Sequence, residues 1–209
     1  FGALYNGACL VVANGHDTHD AAAFARFLCE RSIDCVKITP SHLDALLDTR
    51  GAIVPGTLIL GGEPVPRRLV DKVRAIDPAC RIFNHYGPTE TTIGVLVHEF
   101  GVRQEEGDAR GRMSADYLPL TTPLPNCRVY VLDAARRLAP VGALGEVYIG
   151  GAQVCRGYFD TPDNPAANSV FIDDPFRPGE RLYRSGDLAR YLPGGGIQLA
   201  GRADDQGVG

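Results

Sequence analysis

The residues best equipped for chemistry cluster in one run, Asn84-His85-Tyr86-Gly87-Pro88-Thr89-Glu90-Thr91-Thr92. The run follows an apolar, strand-like segment and leads into a stretch expected to be helical. Gly-Pro makes a tight turn. Thr89 can then cap the helix, with Glu90 in its first turn. Backbone N–H groups at such a cap form an anion site. A hydroxyl beside them can hold a phosphate oxygen, a carboxylate can hold Mg²⁺, and Tyr86 offers a flat ring for stacking. Taken alone, the same run is also an ordinary strand–turn–helix with a capping threonine. Gly186-Asp187 reads as a turn in which Asp is common, and Arg202 with Asp204 as a solvated charged turn. Lys37 stands inside Cys35–Thr39 (CVKIT), which reads as a strand. If that strand is buried, the ammonium needs an anionic partner, at a penalty of about 3–5 kcal/mol without one. The alternative is an edge strand with Lys37 in water.

The elements that must position these groups come in two styles. Up to about residue 98, strand signals alternate with helix signals. Ala8–Ala13 suits a buried strand, and Thr18 or Asp20 can cap a helix with Phe24, Phe27 and Leu28 on its apolar face. Cys35–Thr39 is a strand stopped by Pro40, and Ser41–Leu47 a short helix. Thr57–Leu60 is a strand ending in Gly61-Gly62, Arg67–Ile76 a helix, and Arg81–Asn84 a strand followed by the turn His85–Pro88. This alternation predicts an α/β subdomain over residues 1–100, a parallel sheet with flanking helices. Ligands of such sheets sit outside the carboxyl ends of the strands, which singles out Thr39–Ser41, Gly61–Pro64 and Asn84–Glu90. Residues 99–116 are polar and read as a loop or linker. Beyond them Cys127–Leu132, Gly145–Ile149 and Ile197–Ala200 are strand-like, with one short helix near Asp163–Ser169. Residues 101–201 are thus expected to form a small antiparallel β-rich subdomain, and 202–209 a stub after it.

Composition narrows the classes of function. The chain has 209 residues, a net charge of -4 and 22% charged residues. That balance offers no basic footprint for nucleic acid or for an anionic membrane surface, and no apolar run approaches membrane-spanning length. The six cysteines show no CxxC pair or zinc-ligand spacing. Cys9 and Cys35, inside apolar runs, read as small buried thiols, and the setting as reducing and cytoplasmic. Phe1 starts without a methionine or a capping signal, so the chain reads as an internal piece of a longer protein.

NHYGPTETT closely resembles a core motif of nonribosomal peptide synthetase adenylation domains, members of the acyl-adenylate-forming superfamily. Further resemblances follow in the family's order. Gly61-Gly62-Glu63 resembles the adenine-facing turn, and Pro123–Asp133 the segment opening the small β subdomain. Gly145–Tyr158 resembles the next core motif, Tyr183–Leu188 (YRSGDL) the ribose-binding motif, and Gly201–Gln206 the hinge motif. The resemblance implies that Asn84, Tyr86 and Gly87 line the nucleotide pocket together with Gly62 and Glu63. Thr89 contacts the α-phosphate and Glu90 helps bind Mg²⁺, these two being the catalytic pair. Asp187 takes the ribose hydroxyls, Arg202 approaches ribose or phosphate, and Asp204 is the hinge. Ser185 stands where Thr is usual, Leu120-Thr121-Thr122 replaces a Pro-Ile-Gly-like sequence, and Gly-Val-Gly follows Gln206 in place of a basic continuation.

By the same resemblance Lys37, Ile59, Gly61, His85, Ile93 and Gly94 fall at side-chain pocket positions. An ammonium beside an imidazole asks for an anionic substrate, as in aspartate-activating domains, with methyl-aspartate or asparagine next. The implied reaction joins ATP and an amino acid to aminoacyl-AMP, then transfers the acyl group to the phosphopantetheine of a peptidyl carrier protein, with a condensation domain in the same chain. The phosphate loop, the aspartate that pairs the α-amino group and the catalytic lysine are expected outside this sequence, so the piece alone should be nearly inactive. The alternatives are an acyl- or aryl-CoA ligase of the superfamily and a non-catalytic nucleotide-binding α/β module. The adenylation reading requires residues 84–90, Gly186-Asp187 and Arg202 to converge around one mononucleotide.

Overall fold

The computed structural model describes residues 2–18, 20–48, 52–101, 119–159 and 167–203. It is a mixed α/β structure that divides into two compact units, Phe1–Phe83 with Phe100–Glu105, and Asn84–Glu99 with Glu106–Gly209.

In the first unit the one-turn helix α1 (Gly2–Tyr5) precedes α2 (Ala21–Glu30), β1 (Cys35–Ile38), α3 (Pro40–Leu47), β2 (Thr57–Gly61), α4 (Arg67–Ile76) and the start of β3 (Arg81–Tyr86). Asp20 caps α2 by accepting the Ala23 N–H at 2.8 Å, satisfying a donor that the helix itself cannot. Pro40 opens α3, where its missing N–H costs nothing. β1 and β2 pair in parallel, with Lys37 opposite Ile59. Val36 and Ile38 pack with Phe24, Leu28 and Leu46 of the helices. Alternation therefore turns Cys35 and Lys37 to the other side of the strand, where both are exposed. Leu58 and Leu60 are fully buried. Across α3 and α4, Lys72 donates to Asp48 at 2.7 Å and, at 2.5 Å, to Asp44, which also accepts from Arg68 at 2.6 Å.

The second unit takes the end of β3, then β4 (Leu96–Phe100) up to Glu99 and β5 (Thr122–Pro123), which pairs antiparallel with β4. A second, antiparallel sheet has the order β10-β9-β7-β6, formed by β6 (Cys127–Leu132), β7 (Leu144–Gly151), β9 (Arg181–Tyr191) and β10 (Ile197–Arg202), with β8 (Phe171–Asp173) also on β9. Its core gathers Val95, Leu96, Leu120, Val131, Val147, Ile149, Tyr183, Ala189 and Ile197. Among the described residues no helix is long and apolar enough to cross a membrane.

Several expectations change. Ala8–Ala13 is neither a strand nor buried: it is exposed coil. An apolar run needs a neighbour to complete its hydrogen bonds, and no described strand pairs with it. Cys9 and Cys35 are accordingly exposed thiols, whereas Cys80 is buried. The strand expected to stop at Asn84 continues through His85 and Tyr86. The helix expected after Pro88 is only a 3₁₀ turn over Thr89–Thr91, ended by Thr92 in the left-handed region at φ 56°. The β-branched side chains of Thr89, Thr91 and Thr92 disfavour helix propagation. Near Asp163–Ser169 the described residues show a 3₁₀ turn over Ala167–Val170. Residues 102–116 of the expected linker, and Asp204, lie outside the described residues.

Lys72 and Arg68 hold the Asp44 carboxyl below its usual range, chiefly through the Lys72 hydrogen bond. Its folded pKa being the lower one, the contribution of Asp44 is complete above the unfolded carboxylate pKa of about 4 and is lost as pH falls through the folded value. Asp44→Asn should therefore flatten the acid limb of a stability–pH curve below about pH 4, read as denaturant midpoints from pH 2 to 7. An unchanged acid limb would remove Asp44 from that role.

Candidate functional site

A double irregularity in the antiparallel sheet builds the centre of the site. Along β7 and β9, Glu146 stands opposite Leu188 and Tyr148 opposite Arg184, so Ser185, Gly186 and Asp187 face Val147 alone. The extra residues form a bulge, which re-aims side chains out of the pleat. Gly186 takes φ 76°, a conformation cheap only without a Cβ. The buried Ser185 hydroxyl stitches the bulge, donating to the Val147 carbonyl at 2.8 Å and accepting the Asp187 N–H at 3.0 Å. The serine in place of the family's usual threonine thus keeps the one group the turn needs. A second register shift lies between Leu199 and Gly201 of β10, after which Arg202 stands opposite Asp187. Without the extra Ala200, strand alternation would turn Arg202 to the opposite face. Instead its guanidinium donates to Asp187 Oδ1 at 3.1 Å.

The end of β3 meets the same carboxylate. The Tyr86 hydroxyl donates to Asp187 Oδ2. Burial, then the Asp187 charge, raise the Tyr86 phenol well above its ordinary pKa, so it remains a donor. Each Asp187 oxygen has a second lone pair, leaving acceptor capacity for a diol. Asn84 is buried and donates to the Pro119 carbonyl at 3.2 Å. The turn after Tyr86 folds back on itself: Val95 N–H bonds the Tyr86 carbonyl at 2.8 Å and Ile93 N–H the Pro88 carbonyl at 3.2 Å. A Cβ on Gly87 would lie 1.6 Å from the Ile93 carbonyl oxygen, so only glycine fits. A Cβ on Gly94 would lie 2.6 Å from His85 Nε2, and the imidazole occupies the space that glycine leaves. Ile93 is exposed, at φ 72°.

Thr89 is exposed and does not cap the turn through its side chain. One 3₁₀ turn is too short to present an anion-binding helix terminus, so the helix-dipole part of the expectation falls away. Glu90 is half-buried. The Tyr158 hydroxyl donates to its Oε1, and the Cys155 N–H donates to its backbone carbonyl at 2.8 Å. Thr92 bonds the Gln153 carbonyl at 2.9 Å. Among the described residues no three His, Cys, Asp or Glu gather as a metal cage. Glu90 alone suits Mg²⁺, which commonly takes one or two carboxylates and completes its shell with water and substrate phosphates.

The remaining expected residues belong to the first unit. Lys37, Ile59 and Gly61 share one face, since Lys37 and Ile59 are register partners and Gly61 follows Ile59 by two. Lys37 is exposed. The argument from an uncompensated buried ammonium therefore does not hold, and the edge-strand alternative describes β1. Gly62 takes φ 88°. Glu63 turns its carboxylate to α3, accepting the Ser41 N–H at 2.9 Å and the Ser41 hydroxyl at 2.7 Å, which satisfies a donor in the first helical turn.

Sequence reasoning missed Tyr158, Tyr183, Asn168 and Arg181 as supports of Glu90. All but Asn168 lie in or beside quoted motifs, yet no local spacing links Tyr158 to Glu90, 68 residues earlier.

The AMP-binding enzyme family model matches residues 1–159. Surfactin synthase subunit 2 of Bacillus subtilis (strain 168) is 40% identical over 209 residues, which make up 99% of this chain and 6% of that protein. Tyrocidine synthase 1 of Brevibacillus parabrevis is 34% identical over 209 residues, 99% of this chain and 18% of that protein. The chain thus spans a small part of the length of both relatives. A four-domain nonribosomal peptide synthetase in its holo form, bound to AMP and glycine, superposes with a TM-score of 0.79 at 30% identity, over 96% of this chain and 14% of that one. A nonribosomal peptide synthetase protein with adenylation and PCP domains gives a TM-score of 0.76 at 26% identity, over 96% and 39%.

Gly87→Ala tests the folded-back turn. The Cβ meets backbone, which cannot swing aside, so a loss of about 3 kcal/mol or more is expected, measured from urea midpoints. A loss below about 1 kcal/mol would mean that the turn opens freely.

Proposed function

Because the chain belongs to the AMP-binding enzyme family, we propose that its parent protein activates an amino acid with ATP as the aminoacyl adenylate and passes it as a thioester to a carrier-protein phosphopantetheine. The observation that carries this reading is the meeting of Tyr86, Asp187 and Arg202. A carboxylate oriented by a phenol and a guanidinium is suited to the vicinal hydroxyls of a ribose, and Arg202 to a phosphate or ribose oxygen. Tyr86 and Asn84 line the base side, and Gly62 and Glu63 border the adenine. Thr89 lies at the α-phosphate and Glu90 at Mg²⁺, which when bound would neutralise charge developing on the phosphate oxygens. The chain's own residues fix the nucleotide and the attacking carboxylate, so their contribution is positional and electrostatic. Asp204 serves as hinge. The residue partition by role is a nucleotide and amino-acid half up to residue 100, a ribose-holding β half over 101–201, and the hinge stub beyond. The solved structures that support a carrier partner contain a PCP domain or are of a nonribosomal peptide synthetase; a condensation domain, and a cytoplasmic site of action, belong to the same reading.

For the substrate the reading is L-aspartate. Its support is the family resemblance, which assigns Lys37, Ile59, Gly61, His85, Ile93 and Gly94 to side-chain pocket positions, and the chemistry of the two basic groups among them. An ammonium and an imidazole match a side-chain carboxylate through charge-assisted hydrogen bonds.

Two measurements on the full-length protein check these assignments. Asp187→Asn should raise the KM for ATP about tenfold or more, the value of a hydrogen bond to a charged group, and leave the amino-acid KM nearly unchanged in ATP–pyrophosphate exchange. An unaltered ATP KM would remove Asp187 from the ribose. In a substrate panel L-aspartate should lead, and Lys37→Glu should lower its preference roughly tenfold or more in favour of neutral or basic amino acids. Preference of the unmodified protein for a large apolar amino acid would end the aspartate assignment.

A further inference from the structure

Glu90 sits on a short turn whose own hydrogen bonds do not reach its carboxylate, yet the carboxylate is held. The holding comes from the segment Gln153–Tyr158. That segment is fastened to the turn at two backbone points, Cys155 N–H to the Glu90 carbonyl and Thr92 Oγ1 to the Gln153 carbonyl. Its far end is gripped separately. Asn168 accepts the Tyr158 N–H at 2.7 Å through Oδ1 and donates to the Tyr158 carbonyl at 3.2 Å through Nδ2. Gly157 takes φ 138°, and a Cβ there would lie 2.6 Å from Asn168 Oδ1, so the grip requires that glycine. Arg181 donates to the Cys155 and Arg156 carbonyls at 2.9 and 3.2 Å. The Tyr158 ring leans on Phe171, with centroids 5.7 Å apart, and Phe171 on Tyr183 at 5.3 Å.

We propose that Tyr158 is a positioning residue for the metal-binding carboxylate: its hydroxyl, fixed by the Asn168 clamp and the Phe171 ring, holds Glu90 Oε1 so that the carboxylate meets a nucleotide-bound divalent cation already oriented. This rests on the reading of Glu90 as the Mg²⁺ ligand given above. Partners one step removed from a metal orient its ligands, and their loss typically weakens metal binding by about 10–100-fold. The phenol acts as a neutral donor.

The test uses Tyr158→Phe in the full-length protein, a change that keeps the ring against Phe171 and removes only the hydroxyl. Mn²⁺ binding is followed by electron paramagnetic resonance in the presence of a non-hydrolysable ATP analogue, with thermal melting as a control. The expected result is Mn²⁺ affinity weakened on the order of tenfold at an unchanged melting temperature. Adding Tyr158→Phe to Glu90→Gln should then have no further effect, because the group it positions is gone. Unchanged Mn²⁺ affinity in Tyr158→Phe, with normal nucleotide-dependent binding in the unmodified protein, overturns the positioning role alone. A lowered melting temperature with equal loss of the analogue measured without metal makes Tyr158 merely structural and overturns it as well. Absence of nucleotide-dependent Mn²⁺ binding in the unmodified protein sinks the metal reading of Glu90, and this inference with it.

Discussion

The Ser185 hydroxyl, bonded at once to the Val147 carbonyl and the Asp187 N–H, is the interaction on which the site geometry depends. A regular β9 would keep Asp187 in the pleat and in ladder with its neighbours. The bulge frees it, and the stitch gives the bulge one conformation. A buried carbonyl and a buried N–H left by the interrupted ladder would each carry a desolvation penalty of about 1–3 kcal/mol, and one small hydroxyl removes both. Tyr86 from β3 and Arg202 from β10 can then meet Asp187 from opposite sides. Each arrives by its own local device: Tyr86 by extension of β3 past Asn84, Arg202 by the extra residue at Ala200.

Glu63 and Glu90 illustrate how the same residue type is steered by its surroundings. Both carboxylates follow β strands in motifs that resemble nucleotide-binding segments. Glu63 spends its two oxygens on Ser41 at the start of α3, anchoring a turn whose glycine must sit at positive φ. Glu90 is held at one oxygen by a phenol that belongs to a distant segment. The first arrangement stabilises a helix terminus, and the second ties a side chain to a segment far away in sequence.

Much of this was legible in the sequence where the signal was local. The helices α2, α3 and α4 follow from their apolar spacing, and Asp20, one of the two cap candidates with Thr18, proves to cap α2. The turn at Gly87 follows from Gly-Pro. The strands Thr57–Gly61, Cys127–Leu132 and Leu144–Gly151 follow from their apolar runs. What was not legible depends on partners. Ala8–Ala13 has the composition of a buried strand but no described neighbour, and Lys37 lies on the exposed side of β1 although its neighbours in sequence are apolar. The segment after Pro88 has a helix-like opening and β-branched residues that stop it. β9 went unnoticed as a strand because Ser-Gly-Asp interrupts its apolar pattern at the very place where it bulges. The link from Tyr158 to Glu90 is invisible to any window shorter than the 68 residues between them.

Three residues opposite one means that the bulge adds two, an even number. Side-chain parity therefore survives the interruption: Tyr183 before it and Ala189 after it enter the same core, while Leu182 faces the other cluster with Leu132 and Tyr148. Loss or gain of a single residue between 184 and 188 would send one half of β9 inside out. Length changes between Arg184 and Leu188 are therefore compatible with both halves of β9 only in pairs, a rule of sheet arithmetic.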